Sequence, residues 1–158
     1  MIEIKVDGTV VFQSRSPAVK YGEGEPIKET SDAEKRFALI RDMPQEVFAV
    51  VSLNGADRVL KIRWVTVGLL DSNQVHPREI FADPIIDRAA SIIVAHNHPS
   101  STLKPSHEDI ALTKRLLKAG EIFGITLLDH LILTKDGMVS LKQLGKLPRG
   151  PGNPGVSG

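Results

Sequence analysis

Residues 91–134 read "SIIVAHNHPSSTLKPSHEDIALTKRLLKAGEIFGITLLDHLILT", and this stretch restricts the fold more than any other. The run "SIIVAHNH" is apolar and rich in β-branched residues, which suits a short buried strand, and Pro99 stops it because proline cannot continue a hydrogen-bonded ladder. "SHEDIALTKRLLKAG" repeats apolar residues at helical spacing behind a Ser-x-x-Asp start, predicting an amphipathic helix that ends at Gly120. "ITLLDHLILT" returns to a strand pattern and pairs with "GMVSL" around Lys135-Asp136-Gly137. A strand, a helix and two further strands in succession call for a sheet with helices packed on it.

The rest of the chain agrees with that class. "IEIKVDGTVVFQS" reads as a hairpin turning at Asp7-Gly8, whose exposed edge could pair with a second copy of the chain, as a homodimer, or with a substrate strand. Residues 17–30 mix proline, glycine and charge without periodicity and read as a connecting loop. Ser31 and Glu34 form a capping-box pattern that predicts a helix from 32 to about 42. "EVFAVVSLNGADRVLKIRWVTVG" supplies two core strands around Asn54-Gly55. Pro77 suits the first turn of a helix, and Pro84 is expected to kink or interrupt that helix. From Lys146 onward four glycines and three prolines leave almost nothing to bury, which predicts a disordered tail. The expected organisation is a hairpin and loop over 1–30, a mixed-sheet α/β domain over 31–145 and a tail over 146–158.

With 158 residues, 41% of them hydrophobic, the chain can bury the core of one domain. Its 20 lysines and arginines stand against 19 acids, so the basic surplus of a nucleic-acid-binding domain is missing and direct nucleic-acid binding is not expected. The absence of cysteine excludes disulfides, thiolate metal sites and cysteine nucleophiles, leaving any metal to His, Asp or Glu. No apolar run approaches the roughly 18 residues of a membrane span, and the N-terminal residues lack the apolar core of a secretion signal. A cytoplasmic protein without a membrane partner is expected.

In a strand, alternate side chains share a face, so His96 and His98 should point the same way with Asn97 opposite. Asp109 falls in the first turn of the following helix, where the helix N-terminus favours a carboxylate. Ser106 and Asp109 read equally as a plain capping box, and that reading is compatible with ligation. Two histidines and one aspartate, with a fourth position left to water, is the catalytic rather than the structural arrangement of zinc.

His96-x-His98, seven residues, then Ser106-x-x-Asp109 matches the JAMM signature of the MPN metalloproteases without a gap. The strings "VHPREIF", "AHNHPSS", "PSHEDIALTKRL" and "LLDHLIL" further resemble the bacterial RadC branch of that superfamily, over residues 34 to 143 or so. The resemblance implies a three-layer architecture like that of cytidine deaminases. It implies one Zn²⁺ per chain on His96, His98 and Asp109, and a zinc-activated water as nucleophile. It also implies Glu46 in "QEVFAVVSLN" as the acid/base and Ser106 as a donor to the tetrahedral oxyanion. The expected activity is zinc-dependent hydrolysis of peptide or isopeptide amide bonds, with a protein or peptide as partner.

The sequence departs from that family at Ser101, where a glycine is usual, and at Gly68-Leu69, where Gly-Thr is common. It also carries a short hairpin and loop in place of the N-terminal helix-hairpin-helix region of full-length members. Two other readings stand beside the peptidase: a scaffold or binding module in DNA repair or a mobile element, with a structural or vestigial metal site, and a zinc hydrolase of non-peptide amides. Among the remaining candidates, His130 reads as a buried hydrogen-bonded histidine that could orient a neighbour. His76 reads as a helix cap, His107 as solvated and Trp64 as part of the core or sheet face.

Overall fold

Strict alternation along the strands explains why the chain builds one sheet with cores on both sides. In β3 (Val47–Leu53), Val47, Ala49, Val51 and Leu53 enter one core, while Phe48 and Val50 enter the other. In β5 (Ser91–Asn97), Ile93 and Ala95 follow the first set, and Ile92 and Val94 the second. Both strands are buried along their whole length, as central strands covered on both faces must be. The computed structural model describes residues 2–4, 10–12, 24–68 and 75–147.

With β4 (Val59–Val67), β6 (Thr126–Thr134) and β7 (Gly137–Ser140), the sheet runs β4-β3-β5-β6-β7. Only β5 and β6 are parallel, and α3 (His107–Phe123) connects them; the other pairings are antiparallel. Helix α1 (Thr30–Arg36) and a 3-10 turn (Ala38–Ile40) bury Ala33, Phe37 and Ile40 in the first core. Helix α2 (Pro77–Ile86) and α3 bury Ile80, Phe81, Leu112 and Leu116 in the second. The result is the expected mixed α/β sheet between helical layers, consistent with a JAB/MPN fold. At the N-terminus, β1 (Ile2–Ile4) pairs antiparallel with β2 (Val10–Phe12) as a separate ribbon. Its turn at Asp7-Gly8 lies outside the described residues, as do residues 17–23 of the expected loop and 148–158 of the expected tail.

Several local expectations are corrected. The helix predicted from 32 starts two residues earlier, at Thr30 with Glu29 as its cap, and Asp32 rather than Glu34 closes its end, accepting the Lys28 and Glu29 N–H groups at 2.9 and 3.2 Å. It stops at Arg36 and continues as the 3-10 turn instead of running to 42. Residues 24–27, read as loop, bond along the start of β4: the Gly24 N–H donates to Val59, and Val59 to Glu25. Pro84 lies inside α2 and is buried, and the helix continues for two residues, to Ile86. Helix α3 passes Gly120 and ends at Phe123, with Gly124 taking the left-handed cap at φ 69°. Gly120 has another reason to be glycine: a Cβ there would lie 2.3 Å from the Ile125 carbonyl oxygen. In the β3-β4 loop, Asp57 rather than Gly55 adopts positive φ, while the Asn54 side chain caps the Ala56 and Arg58 N–H groups. Leu147, assigned to the tail, is buried in the second core.

A register shift in β6 sets up the site. Ile92 pairs with Leu127 but Ile93 with Asp129, so Leu128 is an extra residue. Beyond this bulge, Asp129 shares a face with Leu131 and Leu133, whereas His130 shares one with Ile132, toward α3.

Candidate metal centre

His96 and His98 follow Val94 on the α3 side of β5, as alternation predicts. The strand ends at Asn97, and Pro99 turns the chain away after the His98 N–H has donated to Leu133. Ser106 then caps α3: its hydroxyl accepts the Asp109 N–H at 3.1 Å, and the Asp109 carboxylate accepts the Ser106 N–H at 2.9 Å. That reciprocal box fixes the rotation of the Asp109 carboxylate. One oxygen lies 3.2 Å from His96 Nε2 and the other 3.3 Å from His98 Nε2. The two imidazole Nε2 atoms are themselves 2.9 Å apart. One carboxylate therefore caps the helix and faces both imidazoles.

His96, His98 and Asp109 could hold a metal ion, their candidate ligand atoms lying within 4.8 Å of one another. The donor chemistry fits: two imidazoles and a carboxylate form a set suited to zinc and other divalent ions. His96 and Asp109 are buried, and His98 is half-buried at the rim.

The supporting partners are specific. His98 Nδ1 lies 2.7 Å from the Thr102 carbonyl, which holds its ring. His96 Nδ1 lies 2.8 Å from His130 Nε2, and His130 Nδ1 lies 2.7 Å from the Thr113 hydroxyl. Phe48 stacks flat against His96, with ring centroids 5.7 Å apart, and closes the site from β3. Burial pulls the Asp109 pKa up, but the two imidazoles facing its oxygens, with the Ser106 N–H, outweigh it and hold the carboxyl well below the ordinary range. Burial opposes the charged form of His98, yet Asp109, the Thr102 carbonyl and the charge of Glu46 together raise its pKa. Complete burial, then the neighbouring His96, push His130 well below its ordinary value.

Glu46, fifty residues upstream of His96, is brought in by the sheet. Phe48, two residues on, pairs with His96 in the β3-β5 register, and the Glu46 charge is near enough to raise the His98 pKa. Asn97 secures that segment from the opposite face of β5. Its side-chain oxygen accepts the Val47 N–H at 2.6 Å, and its amide donates to the Met43 and Gln45 carbonyls at 3.1 and 3.0 Å.

His76 caps α2 by accepting the Arg78 N–H, His107 is exposed, and Trp64 packs against the first core, as the sequence suggested. His130 is both buried and in contact with His96, which joins its two alternatives. Thr113, Asn97 and Thr102 were missed. Alternation had placed Asn97 on the opposite face without its role, and Thr113 stands one helical turn beyond Asp109. Among the described residues no helix is long and apolar enough to cross a membrane.

A UPF0758 protein of Methanospirillum hungatei is 57% identical over 103 residues, 65% of this chain and 46% of the relative. One from Clostridium acetobutylicum is 44% identical over 130 residues, 80% of this chain and 57% of its own length. A third, from Staphylococcus epidermidis, is 37% identical over 154 residues, 90% of this chain and 68% of that protein. The chain thus spans about half the length of most of the curated relatives it matches. The model of the RadC-like JAB domain matches residues 27–146, taking in the strands and the helix that assemble His96, His98 and Asp109, and the chain belongs to that family.

Proposed function

We propose that this chain is a zinc-dependent hydrolase of peptide or isopeptide amide bonds. The observation that carries the reading is the convergence of His96 Nε2, His98 Nε2 and both Asp109 oxygens, with the Glu46 charge acting on His98. His96, His98 and Asp109 would hold zinc, which when bound supplies Lewis acidity, acidifying a water and polarising a carbonyl. Glu46 takes a proton from the attacking water on its carboxylate and returns it to the leaving amine, so the proton count closes within one residue. The Ser106 hydroxyl oxygen already accepts the Asp109 N–H, which leaves its own proton free to donate to the oxyanion as the carbonyl becomes tetrahedral. Phe48 keeps water from the inner side of His96.

Zinc-loaded protein incubated with libraries of peptides and lysine-linked isopeptides tests the reading. Cleavage that falls by about 10²- to 10⁴-fold in Glu46→Gln, with zinc content unchanged, is the expected result. Cleavage indifferent to Glu46→Gln, or no cleavage of either class by protein carrying its zinc, would overturn it.

A further inference from the structure

His130 is completely buried, the proposed hydrolysis leaves it without a task, and both of its ring nitrogens are bonded. The directions of those bonds follow from a count of protons. The Thr113 hydroxyl donates its single hydrogen to the Asp109 carbonyl at 2.7 Å, so toward His130 its oxygen can only accept. His130 Nδ1 must then carry the hydrogen of that 2.7 Å contact. A neutral imidazole has one N–H, so His130 Nε2 is an acceptor, and the hydrogen of its 2.8 Å contact belongs to His96 Nδ1. That leaves His96 Nε2 with a bare lone pair, pointing at His98 Nε2 and Asp109.

We propose that Thr113 and His130 order the protons of the site, fixing the tautomer of His96 so that its Nε2 is available to a metal ion. His130 is thus a positioning residue, and this assignment rests on the metal reading above. The chain of contacts begins and ends on one ligand. Its hydrogen bonds run from the Asp109 backbone carbonyl through Thr113 and His130 to His96, and the bare Nε2 of His96 then faces the Asp109 carboxylate at 3.2 Å, the gap a cation would fill. A metal-bound histidine commonly gives its second N–H to a carboxylate or a carbonyl, as His98 does to Thr102. At His96 the acceptor is a neutral ring, which orients the ligand without adding negative charge to a site that already holds Asp109 and Glu46.

The test is a zinc titration against a competing chelator for wild type, His130→Phe, His130→Gln and Thr113→Val, with melting of each metal-free protein alongside. Phenylalanine keeps the ring volume and removes the acceptor, so zinc affinity should fall about 10- to 100-fold. Glutamine places an amide oxygen where Nε2 stood and should recover most of that loss, while Thr113→Val should lose less than His130→Phe. In cobalt-loaded protein the visible bands should shift for His130→Phe and return toward wild type for His130→Gln. A purely structural role would lower the melting temperature and leave both affinity and bands of the folded protein unchanged, which would overturn the proposal. Should His130→Phe fail to fold, nitrogen NMR of zinc-loaded wild type decides: the His96 proton on Nδ1 supports the assignment, and on Nε2 refutes it. Wild type that takes up no zinc would sink the metal reading and this inference with it. Zinc bound tightly by wild type and equally by folded His130→Phe would sink this inference alone.

Discussion

Asp129 and His130 are neighbours in β6 that face opposite sides of the sheet, and the two buried polar clusters they join are built on opposite principles. Around Asp129 every acceptor meets a protein donor: the Ser140 hydroxyl at 2.6 Å, the His130 N–H at 2.7 Å and the Lys142 N–H at 3.1 Å. Those bonds tie β7 and the turn after it to β6, and the cluster is complete. Around His96 the outer nitrogens are satisfied in the same way, but the proton count leaves His96 Nε2 an acceptor, facing His98 Nε2 at 2.9 Å beside a carboxylate. Mutually facing lone pairs in a buried site repel unless a cation joins them. A closed cluster is architecture. An inward-facing set of acceptors with its support already in place is a binding site.

The sharpest way to break the contrast is to remove ligands. Asp109→Ala, or His96→Ala with His98→Ala, should lose zinc altogether, well beyond the roughly 100-fold cost of losing a supporting residue. The double histidine variant should also melt lower without metal, because His96 is buried, stacked on Phe48 and bonded to His130, so its zinc loss is read on folded protein. Asp129→Ala should spare the metal site. It orphans two buried donors and the partly buried Lys142 N–H, so urea denaturation should report a loss of ~2 kcal/mol at about 1 kcal/mol per buried donor, while the protein that remains folded should bind zinc like wild type.

A smaller effect separates the two carboxylates by pH. Burial raises the Asp129 pKa and outweighs the hydrogen bonds from Ser140, Lys142 and His130. The folded state therefore holds its proton to a higher pH than the unfolded chain does, and stability falls as pH rises from the ordinary value of 3.8 through the raised one, then levels. The stability difference between wild type and Asp129→Asn, measured by denaturation at a series of pH values, should shrink across that window from its acid end. A difference that grows would show that the carboxylate's hydrogen bonds outweigh its burial. Smallest is Ser101→Gly. Ser101 sits at φ 64°, in the turn between His98 and Thr102, where family members usually carry glycine. Relief of the left-handed conformation should stabilise by about 1 kcal/mol, read as a higher melting temperature with zinc affinity unchanged.

Much of this organisation was legible in the sequence, for identifiable reasons. Alternation in "SIIVAHNH" gave the shared face of His96 and His98, and the Ser106-x-x-Asp109 box gave the start of α3, because both are set by local periodicity and capping. The end of α3 was misplaced because Gly120 looks like a stop; it is a glycine so that the Ile125 carbonyl can approach, a tertiary reason no local pattern carries. The start of α1 was misread because Ser31 and Glu34 have capping-box spacing, whereas Glu29 takes the cap position and Asp32 bonds back to the Lys28 and Glu29 N–H groups. Glu46 could be reached only through family likeness, since its approach to His98 depends on the β3-β5 register. His130 was undecidable from "LLDHLIL" because the extra residue at Leu128 determines which side of the sheet it faces.

The most direct test of the central claim is the metal content of the purified protein by mass spectrometry, wild type beside Asp109→Ala, before and after incubation with zinc. About one zinc per wild-type chain, absent from a folded Asp109→Ala, is the predicted result. A folded wild-type protein that carries no metal and takes up none would show that the Ser106 and Asp109 pair is only a helix cap, and the account of this site would be wrong.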